Sequence, residues 1–153
     1  MSRRVEKLIA SAGGIGYLPL APGTWAAIIA LITWYFLHHV FVFSPALQLL
    51  LVLSALVLGL WSSIRLEGEW GKDPSQIVMD EWVGMWITCL FLPASLEILL
   101  IALVVFRILD IWKPLFIRSA EKLKGGIGVM MDDVLAGILG NLLIHFFIWI
   151  VYK

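Results

Sequence analysis

Ten of the eleven acidic residues and ten of the eleven basic residues of this 153-residue chain fall in three polar islands, residues 1–24, 65–81 and 107–133. Only Glu97 and Lys153 lie outside them. The runs around the islands, 26–43, 46–64, 82–106 and 134–152, carry no charge except Glu97, and each approaches or exceeds the roughly 20 residues a helix needs to cross hydrocarbon. Backbone groups in lipid must be satisfied within the protein, and the runs lack the alternation of barrel strands, so helices are expected. With 61% hydrophobic and 14% charged residues, the chain is more apolar than a soluble domain, in which apolar residues make up about half. The expected fold is all-α: one domain over residues 1–153, a polytopic membrane helical bundle of about five membrane-embedded helices.

Composition also excludes. Arg3, Arg4 and Lys7 precede only a short apolar stretch before Gly13-Gly14, too little for the core of a secretory signal, so the first segment is expected to belong to the mature protein. The single cysteine, Cys89, rules out an internal disulfide and reads as a small buried hydrophobe. A formal net charge of zero argues against nucleic acid as a partner.

If the three islands meet in one site, the number of crossings between successive islands is even. The runs 26–43 and 46–64 then form a hairpin turning at Phe43-Ser44-Pro45. The run 82–106 is interrupted at Leu92-Pro93-Ala94-Ser95, which predicts one helix from near Ser75 to near Pro93 and another from Ser95 to near Trp112. Each would be about 27 Å long at about 1.5 Å per residue, enough for a tilted or thin crossing. The last run crosses alone and leaves Lys153 on the far side. The excess of Lys and Arg on the island side makes that side cytoplasmic. A single crossing for 82–106 would instead place Arg107, Lys113, Arg118, Lys122 and Lys124 outside, against the same rule.

Asp73 and Pro74 resemble a helix start, a cap followed by proline at the first position. Asp80 and Glu81 would then sit about two turns in, where an ionised pair entering lipid is expensive unless it binds something; a solvated helix end is the plain alternative. Arg107 and Asp110 share a helical face and could form a simple surface pair, while Lys113 lies near the end that Pro114 enforces. Asp132-Asp133 open the last apolar run, where capping would account for one of them. Two acidic doublets with Asp110 make a hard, oxygen-rich site suited to magnesium, and Arg107 with Lys113 supply the charge a phosphate requires. The Gly13-Gly14-Ile15-Gly16-Tyr17 and Ala21-Pro22-Gly23-Thr24 stretches lead into the first apolar helix, where backbone N–H groups can cradle an anion and Thr24 can cap or contact it. Ordinary turns are equally rich in glycine.

Four motifs resemble those of the phosphatidylglycerophosphatase A family: Gly-Tyr-x-Pro-x-Ala-Pro-Gly-Thr at 16–24, Asp-x6-Asp-Glu at 73–81, Phe-Arg-x2-Asp-x2-Lys-Pro at 106–114, and the Gly-rich element ending in Asp-Asp-x2-Ala-Gly at 125–137. The resemblance implies a magnesium-dependent phosphatase that converts phosphatidylglycerophosphate to phosphatidylglycerol, multi-pass in a bacterial inner membrane with its site toward the cytoplasm. Asp80, Glu81, Asp132 and Asp133 are expected to hold the metal, Asp80, Glu81, Asp110 and Asp133 to serve catalysis, and Arg107, Lys113, Thr24 and Tyr17 to bind substrate. Other phosphatase chemistries lack their residues. Ser95 stands where a cysteine-phosphatase loop built on Cys89 needs arginine, no Asp-x-Asp element occurs, and His38, His39 and His145 lie in apolar runs. A small cation transporter would carry its carboxylates near mid-membrane rather than beside Arg and Lys. A non-enzymatic protein binding anionic lipid is the third possibility.

Overall fold

The computed structural model describes residues 2–41, 43–71, 74–120, 123 and 126–151. Asp73, Lys122, Lys124, Gly125 and Lys153, used in the sequence reading, lie outside the described residues. The described residues form seven α-helices and one 3-10 turn: α1 (Arg3–Ala10), the turn (Ile15–Tyr17), α2 (Pro22–Val40), α3 (Pro45–Trp70), α4 (Met79–Cys89), α5 (Leu96–Trp112), α6 (Leu115–Ala120) and α7 (Gly126–Val151). Among them α2, α3 and α7 are long and apolar enough to cross a membrane. Their outer faces expose large apolar side chains such as Ile32, Phe36, Leu53, Val57 and Phe146. A continuous apolar exterior of this kind is suited to hydrocarbon rather than water.

Local sequence explains two of the turns. The side chain of Ser44 accepts the N–H of Leu47, and Pro45 fills the first position of α3, so the hairpin turns where the proline predicts. Ser95 caps α5 in the same way through Ile98.

The expected helix from Ser75 to Pro93 is corrected at both ends. The helix is α4, 11 residues or about 16 Å. Before it, the N–H of Val78 donates to Ala10 O at 3.0 Å, and the Gln76 carbonyl lies directly against Gly16, so residues 74–78 are strapped to the N-terminal segment rather than coiled. Beyond it, Phe91 takes a left-handed backbone, φ 61. Asn141 donates to Thr88 O at 3.0 Å and to Leu90 O at 2.8 Å, while Gln48 accepts the N–H of Phe91 at 3.0 Å. A helix that ends inside an apolar bundle needs such partners for its open backbone groups. Because Gln48 belongs to the first turn of α3, the α4–α5 turn lies at the end of the bundle where α2 turns into α3.

Short α4 is the centre of the molecule. Its residues from Val83 to Cys89 are buried, and it packs on α2, α3, α5 and α7. Trp86 ties it to α2 by donating to Ala30 O at 3.0 Å. Against α7 the approach is closer than side chains allow: a Cβ on Gly137 would lie 2.5 Å from Gly84 O, and one on Gly84 would lie 2.8 Å from Asp133 O. Glycine at the crossing lets the two backbones touch.

Candidate active site

The two acidic doublets enter from the two helices that this crossing brings together. Asp80 and Glu81 occupy the first turn of α4, where the partial positive charge of a helix start favours carboxylates. Asp132 and Asp133 lie almost two turns inside α7, which begins at Gly126. The sequence reading had these depths reversed. The Val78 tether delays α4, and Gly126, seated on the backbone of Ser63 and Ile64 with no room for a Cβ, lets α7 start early, so neither Asp132 nor Asp133 caps it.

Asp80, Glu81 and Asp133 each place a carboxylate oxygen within 4.8 Å of the others. Asp110, in the last turns of α5, comes within hydrogen-bonding reach of Asp133 and accepts from Arg107 Nη1 at 2.5 Å. Asp132 takes a different partner, Lys113 Nζ at 2.5 Å. Consecutive residues on a helix point about 100° apart, and in this doublet the turn sends Asp132 to Lys113 and Asp133 to the trio, whereas Asp80 and the longer Glu81 still bring their carboxylate oxygens together. Lys113 ends α5 in a left-handed backbone, φ 43, an uncommon conformation for a non-glycine residue and one found where surroundings hold it in place. Its N–H donates to Leu109 O at 2.9 Å, and its ion pair fixes the side chain.

Asp80, Asp110, Asp132 and Asp133 are buried and Glu81 is partly so. The two cations are taken by Asp110 and Asp132, and no ion pair reaches Asp80, Glu81 or Asp133 among the described residues. Glu81 Oε2 and Asp133 Oδ2 are also buried without a hydrogen-bond partner among the described residues. Like charges this close and out of water repel strongly. A cation among them removes both the repulsion and the unmet acceptors. The donor set is carboxylate alone, the chemistry of a hard divalent ion. Oxygens sharing one magnesium are at most about 4.2 Å apart at about 2.1 Å per bond, so the trio needs only small side-chain rotations. The residues present fit the ion.

The remaining expected residues divide. Thr24 sits in the first turn of α2 but does not cap it, because Ala21 holds that position; it lines a groove with Arg107. Tyr17 packs edge-on against Trp70 at 6.3 Å, and among the described residues no contact joins it to the cluster. Gly13 and Gly14 close α1, donating to Leu8 O at 2.8 Å and to Ser11 Oγ at 3.1 Å with φ of 75 and 102. They form a helix stop, not an anion cradle. Three glycines carry roles the sequence reading did not assign. The Glu81 carboxylate rests on Gly23, filling the space a Cβ would take, and Gly84 with Gly137 sets the distance between the two doublets. Small residues one turn apart, Gly84 with Thr88 and Gly137 with Gly140 and Asn141, are the signal that marks such a crossing.

The model of the phosphatidylglycerophosphatase A family matches residues 8–148. A Bacteroides thetaiotaomicron protein, named provisionally a phosphatidylinositol-3-phosphatase, is 43% identical over 94% of this chain and 94% of its own. The phosphatidylglycerophosphatase A of Escherichia coli is 35% identical over 91% of this chain and 81% of its own, and that of Haemophilus influenzae 36% over 86% and 81%. No solved structure matches. The carboxylate cluster and its two cations all fall inside the matched span, and the chain belongs to the phosphatidylglycerophosphatase A family of phosphoric monoester hydrolases.

Proposed function

We propose that the chain is a magnesium-dependent enzyme that removes the terminal phosphate of phosphatidylglycerophosphate, leaving phosphatidylglycerol, at the cytoplasmic face of a bacterial inner membrane. One observation carries the reading: three converging carboxylates, Asp80, Glu81 and Asp133, which have no ion pair among the described residues, stand beside two cations, Arg107 and Lys113. Magnesium held by that trio would neutralise phosphate oxygens and make water a stronger nucleophile. Arg107 and Lys113 bind the phosphate oxygens by exchanging part of their contact with Asp110 and Asp132. Asp110, released in this exchange, takes the proton of the attacking water. Phosphorus gains the water oxygen and loses the lipid oxygen, which leaves as the alcohol after taking that proton from Asp110. Asp132 acts in this scheme as the positioning partner of Lys113 and not as a fourth ligand.

The names of two relatives and of the family favour the phosphatidylglycerol headgroup. The name of the Bacteroides relative favours a second reading, phosphatidylinositol 3-phosphate. For topology the reading is five crossings, α2, α3, the α4–α5 hairpin and α7, with α4 and residues 90–95 together making one; the apolar length of α2, α3 and α7 and the α4–α5 turn lying beside the first turn of α3 support it. Basic residues gather at the motif end, which the positive-inside rule assigns to the cytoplasm.

Phosphate release by purified protein, measured on both lipids with magnesium and with a chelator, tests the proposal. Release from phosphatidylglycerophosphate that is lost on chelation and restored by magnesium is the expected result. Faster release from the phosphoinositide would favour the second reading, and no release from either would favour a transporter or lipid-binding protein.

A further inference from the structure

Two hollows meet on the outer face of α5. The larger, about 560 Å³, lies between Thr24 of α2 and Leu103, Val104, Arg107 and Ile111 of α5. The smaller, about 270 Å³, is lined by Leu100, Ile101 and Val104. Val104 lines both, so the two hollows adjoin along α5 and together flank a groove of about 10 Å from Arg107 to Leu100 at about 1.5 Å per residue. Thr24 and Arg107 are its polar lining, and both adjoin the carboxylates. Arg107 is paired with Asp110, and Thr24 follows Gly23, on which Glu81 rests.

We infer that this groove seats an acyl chain of the lipid whose phosphate Arg107 binds. The inference rests on the phosphatase reading above and deepens it by placing the chain of the substrate. A guanidinium next to an apolar channel matches one class of ligand at both ends, an anionic phosphate joined to a hydrocarbon tail. The buried Nε of Arg107 has no hydrogen-bond partner among the described residues, so the mouth holds an unmet donor suited to a phosphate oxygen. The larger hollow falls within the roughly 300–1,000 Å³ of small-molecule sites. A chain seated there fixes the headgroup relative to Asp80, Glu81 and Asp133, which makes the groove a determinant of lipid over water-soluble phosphomonoesters.

The test compares diacyl phosphatidylglycerophosphate in detergent micelles with a water-soluble analogue lacking both acyl chains. Val104 is 57% exposed, so Val104→Trp fills the groove without disturbing the core. The KM for the diacyl lipid, taken relative to the KM for the analogue, should rise about tenfold, the scale on which a pocket discriminates by a few methylenes. Leu53→Trp, equally exposed at 56% on α3, should leave that ratio where it is. An unchanged ratio in Val104→Trp, the outcome if the groove takes up only detergent or solvating lipid, overturns the inference while wild-type turnover leaves the phosphatase reading standing. Equal loss on both substrates also overturns it, because it marks a structural effect. A wild-type protein that hydrolyses neither substrate removes the phosphatase reading and the inference with it.

Discussion

Gly137→Ala tests whether the α4–α7 crossing sets the site. The new Cβ would lie 2.5 Å from Gly84 O and 3.1 Å from Ile87 Cβ, where ordinary contact begins at 3.4 Å, so the helices must part by about 0.9 Å. Overpacking of this kind costs about 1–3 kcal/mol, less than the roughly 5–15 kcal/mol that holds a typical domain folded. The variant should therefore fold. Parting the helices also moves Asp133 away from Asp80 and Glu81, and a misplacement near 1 Å lowers a rate by about 100-fold. Phosphate release and thermal unfolding of the same detergent-solubilised preparation give the two readouts. Gly68→Ala, in α3 with open space around it, is the control and should keep both turnover and folding, because alanine favours a helix over glycine by about 0.5–1 kcal/mol. If Gly137→Ala retained wild-type turnover, the claim that glycine contact positions the carboxylates would be wrong.

Asp133→Asn should reduce turnover by at least about 100-fold and yet raise the unfolding temperature measured in chelator, since it removes one of three crowded charges; a fall in that temperature would contradict the repulsion argument. Gly23→Ala should displace the Glu81 carboxylate and cut turnover by about 100-fold, while Glu81→Gln in the same background should add little further loss; additive losses would refute a shared cause. Lys113→Ala leaves Asp132 buried and unpaired, so both turnover and stability should fall, the latter by about 3–5 kcal/mol, with Lys113→Arg recovering part of each; full turnover in Lys113→Ala at saturating lipid would remove Lys113 from the site. For topology, a membrane-impermeant thiol reagent applied to intact cells should label Ser95→Cys and not Ser2→Cys. Native Cys89 is buried and should stay silent, and the reverse pattern would invert the bundle.

Charge distribution made the convergence of the islands legible, because charges stranded between apolar runs can only gather at an end of the bundle. The hairpin at Pro45 and the cap at Ser95 were legible for a local reason: each depends on a side chain bonding three residues away. The length of α4 was not, since it is decided by Ala10, Gln48 and Asn141, partners distant in sequence whose hydrogen bonds leave no trace in periodicity. The doublets misled in a different way. Adjacent aspartates suggest paired ligands, but the turn of the helix sends Asp132 to Lys113 and Asp133 to the trio. Gly23 looked like part of a turn because nothing in a sequence announces that a carboxylate from another helix will occupy the space where its side chain would be.

The stitched lower end of α4 bears on how the enzyme meets its membrane. Bilayer thickness acts on helices through the apolar length they present to lipid; α4 presents almost none, being enclosed by its neighbours and tied off by Asn141 and Gln48 before it could reach the opposite surface. In the five-crossing reading proposed above, a change in bilayer thickness would act on the lipid-facing sides of α2, α3, α5 and α7, while the helix that carries Asp80 and Glu81 has no length to match. For an enzyme acting on a membrane lipid, as proposed above, such insulation would keep the spacing of its carboxylates independent of the thickness of the bilayer that its product joins.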